Sequence, residues 1–371
     1  MAKRIIDSTP KQDGFRMPGE FEEQKQIWML WPLRNDNWRL GAKPAQQAFL
    51  QVAKAISDFE PVSLCVPPTQ YENALARVSA LDTDNIRVIE MTNDDSWIRD
   101  CGPTFLVNDK GELRAVDWEF NAWGGLVDGL YFPWDQDALV ARKVCEIEGV
   151  DSYKTKDFVL EGGSIHVDGE GTVLVTEMCL LHPSRNPHLT KAEIEENLKS
   201  YLNAEKVIWV KDGIDPYETN GHIDDVACFV RPGEVACIYT EDESHPFYKE
   251  AQAAYQFLSE QVDAKGRKLK VHKLCVTKKP CYLQAADSID YAEGSIPREE
   301  GEIAIASYLN FLIVNGAIIL PQYGDENDAL AVEQVQAMFP DRKIVGVETT
   351  EIAYGGGNIH CITQQQPAVI R

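Results

Sequence analysis

Two short apolar runs joined by a turn, then a helical pattern and a closing strand-like run, recur along this chain. A unit this small cannot bury its apolar face alone, so the copies must pack against one another. In the first copy Thr104 to Val107 turns at Asn108-Asp109-Lys110-Gly111 into Leu113 to Phe120, with a helix expected over 135–148. In the second, Ser164 to Val167 turns at Asp168-Gly169-Glu170-Gly171 into Thr172 to Thr176. There Thr190-Lys191-Ala192-Glu193 reads as a capping box opening a helix with Ile194, Leu198 and Tyr201 on one face, and Lys206 to Val210 closes the unit. The third runs from Val226 to Val230 through Arg231-Pro232-Gly233-Glu234 into Val235 to Thr240, with a helix from near Pro246 and a strand over Leu269 to Leu274. The fourth turns at Asn315-Gly316, a strong hairpin dipeptide, between Phe311 to Val314 and Ala317 to Leu320. Its helix is expected over Asn327 to Phe339 and its last strand over Lys343 to Val347.

The fifth copy is divided between the chain ends, with Ile359 to Thr363 at one and Ile27 to Trp31, a helix over Pro44 to Phe59 and Val62 to Val66 at the other. A repeat completed by both termini implies an α/β ring closed on itself: short sheets fanned around an axis, helices outside. No Gly/Ser or Pro-rich linker interrupts the 371 residues, and 44% hydrophobic content is ample for a core, so residues 1–371 read as one domain.

In such a ring the equivalent point of every unit faces the same central channel. The hairpin openings are Trp97-Ile98-Arg99-Asp100-Cys101-Gly102-Pro103, Leu160-Glu161-Gly162-Gly163, Glu218-Thr219-Asn220-Gly221-His222-Ile223-Asp224-Asp225 and Gly357-Asn358-Ile359-His360-Cys361. They carry Asp100, Glu161, His222 with Asp224, and Cys361, each beside glycines that permit close backbone approach to a ligand.

Alone, Cys361 could be a small buried hydrophobe. A free thiol is mostly protonated at neutral pH, so a nucleophilic cysteine needs a base or a cationic neighbour, and His222 can be either. Several carboxylates around a thiolate raise one another's pKa unless a cation lies between them. A planar guanidinium, whose five donors suit forked carboxylate hydrogen bonds, fits Asp100, Glu161 and Asp224 better than a point charge. Its central carbon would be open to Cys361.

Composition excludes other classes. With 36 basic and 59 acidic residues the net charge is −23, which repels nucleic acid and anionic membranes and favours a cationic ligand. The longest apolar runs are short, the one from Phe311 to Leu320 being broken by Asn315, and no apolar signal region follows Met1-Ala2-Lys3-Arg4, so a cytoplasmic protein without membrane spans is expected. Nine cysteines without CxxC spacing fit reduced core residues better than disulfides or a zinc site.

Taken together, Trp97 to Pro103, Glu161-Gly162-Gly163, Asn220-Gly221-His222-Ile223-Asp224 and Gly356-Gly357-Asn358-Ile359-His360-Cys361 resemble the agmatine deiminases of the guanidine-modifying pentein superfamily, over essentially the whole chain. The resemblance implies a five-bladed α/β propeller that hydrolyses agmatine to N-carbamoylputrescine and ammonia without metal or organic cofactor, and a tendency to form homo-oligomers. It implies Cys361 as the nucleophile that carries the amidino group, His222 as general acid and base, and Asp100, Glu161 and Asp224 as guanidinium ligands. It further implies Glu218 and Asn358 as substrate contacts, and Trp97 and Trp123 could line the path of the substrate's methylene chain.

Each residue has a plainer reading. His222 could be a satisfied core histidine, Asp100 a local partner of Arg99, Glu161 a support of its glycine turn, Glu218 a solvated loop residue and either tryptophan a core side chain. On an extended strand His360 points away from Cys361 and reads as structural. The same cysteine would also serve an amidinotransferase, a peptidyl-arginine deiminase with an open cleft, or, least convincingly, a silent guanidine-binding protein.

Overall fold

A computed structural model describes residues 5–369 and shows a mixed α/β fold built from several small sheets. In the first sheet Thr104–Val107 runs antiparallel to Leu113–Glu119, which pairs in parallel with Asp151–Val159, and Ile5–Ile6 adds to the outer edge. The second comprises His166–Val167, Thr172–Thr176 and Lys206–Val210; the third Ala227–Arg231, Glu234–Tyr239 and Lys270–Cys275; the fourth Leu312–Val314, Ala317–Gln322 and Lys343–Glu348. In all four the hairpin is antiparallel and the last strand parallel. A parallel neighbour cannot be reached through a tight turn, so a crossover helix is required. Val140–Glu148, Lys191–Leu202, Tyr248–Glu260 and Asp328–Met338 supply it.

The fifth sheet joins the two ends of the chain. Thr363–Pro367 lies antiparallel to Gln24–Leu30, which pairs in parallel with Val62–Val66 after the helix Lys43–Ser57. This unit is larger than the repeat suggests, with a further helix Tyr71–Ser79 and strand Ile86–Glu90. A small ribbon of Cys281–Tyr282 with Ile303–Ala304 flanks the irregular segment 283–302. Among the described residues no helix is long and apolar enough to cross a membrane.

Local signals hold where side chains act on their own backbone. Thr190 and Glu193 form the reciprocal capping box at the start of Lys191–Leu202. At Asn315-Gly316 the glycine takes the left-handed φ of +75°, while the asparagine amide bonds both backbone groups of Gln24 in the fifth sheet. Two expected strands differ. Ser164 to Val167 shortens to His166–Val167 because Gly162–Ser164 is a 3-10 turn, with the Ser164 hydroxyl donating to the Glu161 carbonyl at 2.6 Å. The expected strand Ile359 to Thr363 begins only at Thr363, because Ile362 N–H returns to the Asn358 carbonyl and Thr363 N–H to that of His360. Cys361 therefore sits on a tight turn and not on a strand.

Neighbouring units are joined near their hairpin openings. Arg99 N–H donates to the Cys361 carbonyl, Gly163 N–H to Asp100, Phe229 N–H to His166, and the Asn310 amide to Asp225. The Gln24 amide donates to the Ile313 carbonyl and links the fourth sheet to the fifth. The fifth sheet also rests on Gln366, whose buried carbonyl accepts from Trp28 Nε1 at 2.9 Å and from Gln26 at 2.6 Å. Replacing Gln366 with Leu strands two buried donors and should cost about 2–4 kcal/mol, read as a lower urea midpoint with unchanged slope; an unchanged midpoint would show that the terminal strand is not needed for stability.

Candidate active site

The openings of the units bring the expected residues together. Cys361, Asp100, Trp97, Trp123 and Glu218 line a cavity of about 370 Å³, and His222, Glu161 and Asp224 form the buried wall behind it. Gly163 marks the point of convergence: a methyl group there would lie 2.5 Å from His222 Nδ1, 2.9 Å from Asp100 Oδ1 and 3.0 Å from Asp224 Oδ2, so only hydrogen fits. Gly357 does the same beside Cys361, where a Cβ would meet Trp97 at 2.6 Å and Cys361 Sγ at 3.1 Å. Trp97 stacks on Trp38 and donates to Asp95, whereas Trp123 donates its indole N–H to Asp100 Oδ2 at 2.9 Å.

Each carboxylate in the wall has a cation of its own. Glu161 Oε1 accepts from Arg185 Nε at 2.6 Å, and both side chains are fully buried. Against the upward pull of burial, Arg185 holds the Glu161 pKa below the usual carboxylate value. His360 Nδ1 lies 2.8 Å from Asp224 Oδ2, and this contact with the His360 charge likewise lowers Asp224. His222 lies between Asp100 Oδ1 at 3.9 Å and Glu161 Oε2 at 3.7 Å. Burial opposes its charge, but Asp100 above all, then Cys179 and Glu161, raise the His222 pKa well above its ordinary value. Asp100 itself is raised, chiefly by burial.

This changes the argument from composition. The carboxylates are not a bare anionic nest awaiting a cation, because Arg185, His360 and His222 already balance them. What remains open is directional: Asp224 Oδ1 and both His222 ring nitrogens have no hydrogen-bond partner. Buried polar groups are nearly always paired, so these atoms mark where a ligand's polar groups would be received.

Cys361 Sγ lies 3.6 Å from Asp224 Oδ2 and 3.2 Å from Asn310 Nδ2. Burial, then the charges of Asp224, Asp225 and Asp100, push its thiol well above the ordinary value. Burial and these carboxylates therefore favour the thiol of Cys361, and a cation in the cavity would favour the thiolate. Asn310 is the group that the sequence reading missed at this point. Its side-chain carbonyl accepts from the backbone N–H of His360 at 2.9 Å and of Cys361 at 3.3 Å, and its amide faces Sγ and Asp225. It stands at the opening of the fourth hairpin, so the repeat itself was the signal that could have found it. Arg185 lies in a loop between elements and carried no such signal.

Two expected contacts are placed differently from the rest. Asn358 is fully buried, its amide donating to the Tyr323 hydroxyl at 3.0 Å and its carbonyl accepting from Ile359 N–H, so its polar atoms hold the turn. Glu218 does face the cavity, but Arg298 grips it with two bonds of 2.9 Å and also donates to the Gly355 carbonyl at 2.7 Å. His360, expected to be structural, contacts a site carboxylate directly. Among the described residues two clusters bring three potential metal ligands within 4.8 Å, Glu20-His166-His360 and Glu161-Cys179-His222, and both include members already tied into ion pairs and hydrogen bonds.

A thiol, a charged histidine and oriented carboxylates at the closed end of a cavity are equipped for nucleophilic attack on a planar cation. The chain belongs to the Porphyromonas-type peptidyl-arginine deiminase family, whose model matches residues 16–367. A Streptococcus mutans relative, provisionally named an agmatine deiminase, is 86% identical over 368 residues, spanning 99% of this chain and 100% of its own. The agmatine deiminase of Pseudomonas aeruginosa is 56% identical over 363 residues, spanning 97% and 98%. The solved structure of the Enterococcus faecalis agmatine deiminase, described as catalysing its reaction, superposes over 100% of both chains with a TM-score of 0.97 and 65% identity.

Two outcomes follow from these charges. Arg185→Met leaves Glu161 buried without its cation and should destabilise the fold by about 3–5 kcal/mol in chemical unfolding; a loss below about 1 kcal/mol would show that Glu161 does not depend on it. Iodoacetamide should modify Cys361 more slowly than a model thiol at pH 7–9, followed by peptide mass spectrometry, because a raised pKa leaves little thiolate until the pH climbs past it. Rapid modification at neutral pH would mean that the thiolate is already formed.

Proposed function

We propose that this protein is an agmatine deiminase, hydrolysing agmatine to N-carbamoylputrescine and ammonia. The observation that carries the reading is Cys361, which lines a cavity sized for a small ligand and lies 3.6 Å from buried Asp224, in a cluster where Asp224 Oδ1 and the His222 nitrogens are unpaired. The likeness to agmatine deiminases over the full chain supports the same reaction.

As the guanidinium enters, its charge offsets that of Asp224 and Asp100, and the Cys361 thiol proton leaves to solvent. The thiolate attacks the guanidinium carbon, forming an S–C bond, while the carboxylates hold the positive nitrogens. Imidazolium His222 protonates the unsubstituted nitrogen, the C–N bond breaks and ammonia departs, leaving an amidino group on Cys361. Neutral His222 then takes a proton from water as its oxygen adds to the same carbon. Collapse breaks the S–C bond as the added hydroxyl's proton passes to the departing sulfur, which restores the Cys361 thiol and releases the neutral ureido product.

Access favours a small free substrate over a peptidyl arginine. Segment 295–298 lines the cavity and is tied down on several sides: Ser295 is bonded to Asp36, Ile296 N–H donates to the Leu130 carbonyl, and Arg298 binds Asn37 and Glu218. A distal ammonium in this cavity would share Glu218 with Arg298. The circuit of inter-unit bonds supports arranging residues 1–371 as one domain, a five-bladed α/β propeller with the site on its axis.

Cys361→Ala should abolish ammonia release, and brief mixing of the parent protein with agmatine should give an amidino adduct on Cys361 by mass spectrometry. Asp224→Asn should lower kcat/KM about 10²–10³-fold, since Asp224 serves both the bound cation and the transition state. No ammonia or ureido product without an acceptor amine, together with a new guanidine once one is added, or faster turnover of an arginine peptide than of agmatine, would refute the assignment.

A further inference from the structure

Behind the cavity wall lies a buried row of titratable groups that the mechanism above does not use. His360 Nδ1 faces Asp224 Oδ2 at 2.8 Å, and its Nε2 faces Glu20 Oε2 at 2.9 Å. Glu20 is itself fixed by the Ile313 N–H, which donates to its other oxygen at 2.9 Å. A second histidine, His166, stacks on His360 with ring centroids 6.1 Å apart and points Nε2 at Glu20 from 3.5 Å. His166 Nδ1 accepts from Phe229 N–H, which fixes it as the neutral tautomer with its proton on Nε2.

His360 has no such accepting role. Both of its nitrogens face carboxylate oxygens, and a carboxylate can only accept, so each nitrogen must carry a proton if both acids are ionised. From the geometry we infer that His360 is a positioning residue: a permanently charged imidazolium that clamps Asp224 between itself and the cavity, keeping it ionised and turning Oδ1 toward the ligand. This deepens the proposed reaction and rests on that reading.

The surrounding charges agree. His360 is faced by Asp224, Glu20, neutral His166 and Arg99, whose Nε donates to the His360 carbonyl, with Cys361 next in the chain and the Cys228 thiol across a small gap. Burial and the Arg99 charge oppose protonation, but Glu20 and Asp224 raise the His360 pKa nonetheless. Asp224 in turn is faced by His360, His222, Arg99, Asp100, Asp225 and Cys361. Asp225, buried beside Asp224, accepts from the neutral Asn310 amide, and burial and the Asp224 charge push its pKa well up.

The sign of the effect follows. Removing the imidazolium raises the Asp224 pKa, so a group ionised across the working range becomes protonated at its acid end. His360→Gln should lower kcat/KM about tenfold or more at pH 7, with much of the loss recovered as pH rises. The acid limb of the profile should move to higher pH and steepen as Asp224 joins the groups that must lose a proton. In Asp224→Asn the clamp has nothing to hold, so adding His360→Gln should cost little more. Glu20→Gln, which removes only the far anion, should move the limb in the same direction by less. An acid limb unmoved in His360→Gln, or losses that multiply in the double variant, would overturn the role. Histidine nitrogen NMR of the parent protein decides the charge without catalysis: two protonated ring nitrogens at neutral pH, absent in His360→Gln, are expected, and one bare nitrogen would refute it. If agmatine is not turned over at all, the reaction assignment fails while the spectrum still tests the clamp.

Discussion

Compensation of buried charge is the constraint on which the site depends. Three carboxylates, a histidine and a thiol occupy a space that excludes bulk water, where an unpaired charge would cost several kcal/mol or discharge itself by a shifted pKa. The protein answers with one cation per carboxylate: Arg185 for Glu161, His360 for Asp224 and His222 for Asp100. His222 is shared between two acids and has free nitrogens, which leaves it able to exchange protons, whereas Arg185 cannot titrate and His360 is held on both sides.

The small sheets matter because they let those pairs form across units. Arg99 of one opening holds the backbone of another through the Cys361 and His360 carbonyls, and Asn310 of the fourth unit fixes the turn that carries Cys361. The apolar cores beneath, with Trp28, Trp31 and Phe49 packed under the fifth sheet and Phe229 and Tyr308 in the next, are fully buried and give these polar pairs a rigid base. Gly163 and Gly357 then allow the polar groups to approach within distances that any side chain would prevent.

Much of this was legible before any coordinates. The hairpin, helix and strand units were visible because alternation, turn dipeptides and a capping box are local signals, and Thr190-Glu193 and Asn315-Gly316 behave as their chemistry requires. The residues at the hairpin openings were visible because a repeat makes equivalent positions comparable. Cys361 was nevertheless expected on a strand, since the apolar run Ile359 to Ile362 looks extended; the hydrogen bonds that bend it come from Asn358 and Thr363 and from Asn310, 51 residues away. Arg185, Arg298 and His360 were missed or misread as partners because their acids lie 24, 80 and 136 residues distant.

By itself, then, the amino-acid order determined the repeated units, the joining of the chain ends in one sheet, a strongly negative net charge and the residue types able to attack a guanidinium. Those follow from short-range periodicity and composition. Tertiary structure decided which cation belongs to which carboxylate, that burial and nearby carboxylates disfavour a thiolate at Cys361, that Glu218 is gripped by Arg298, and that His360 contacts Asp224. Electrostatic energy depends on distance and burial, and neither is written in sequence separation.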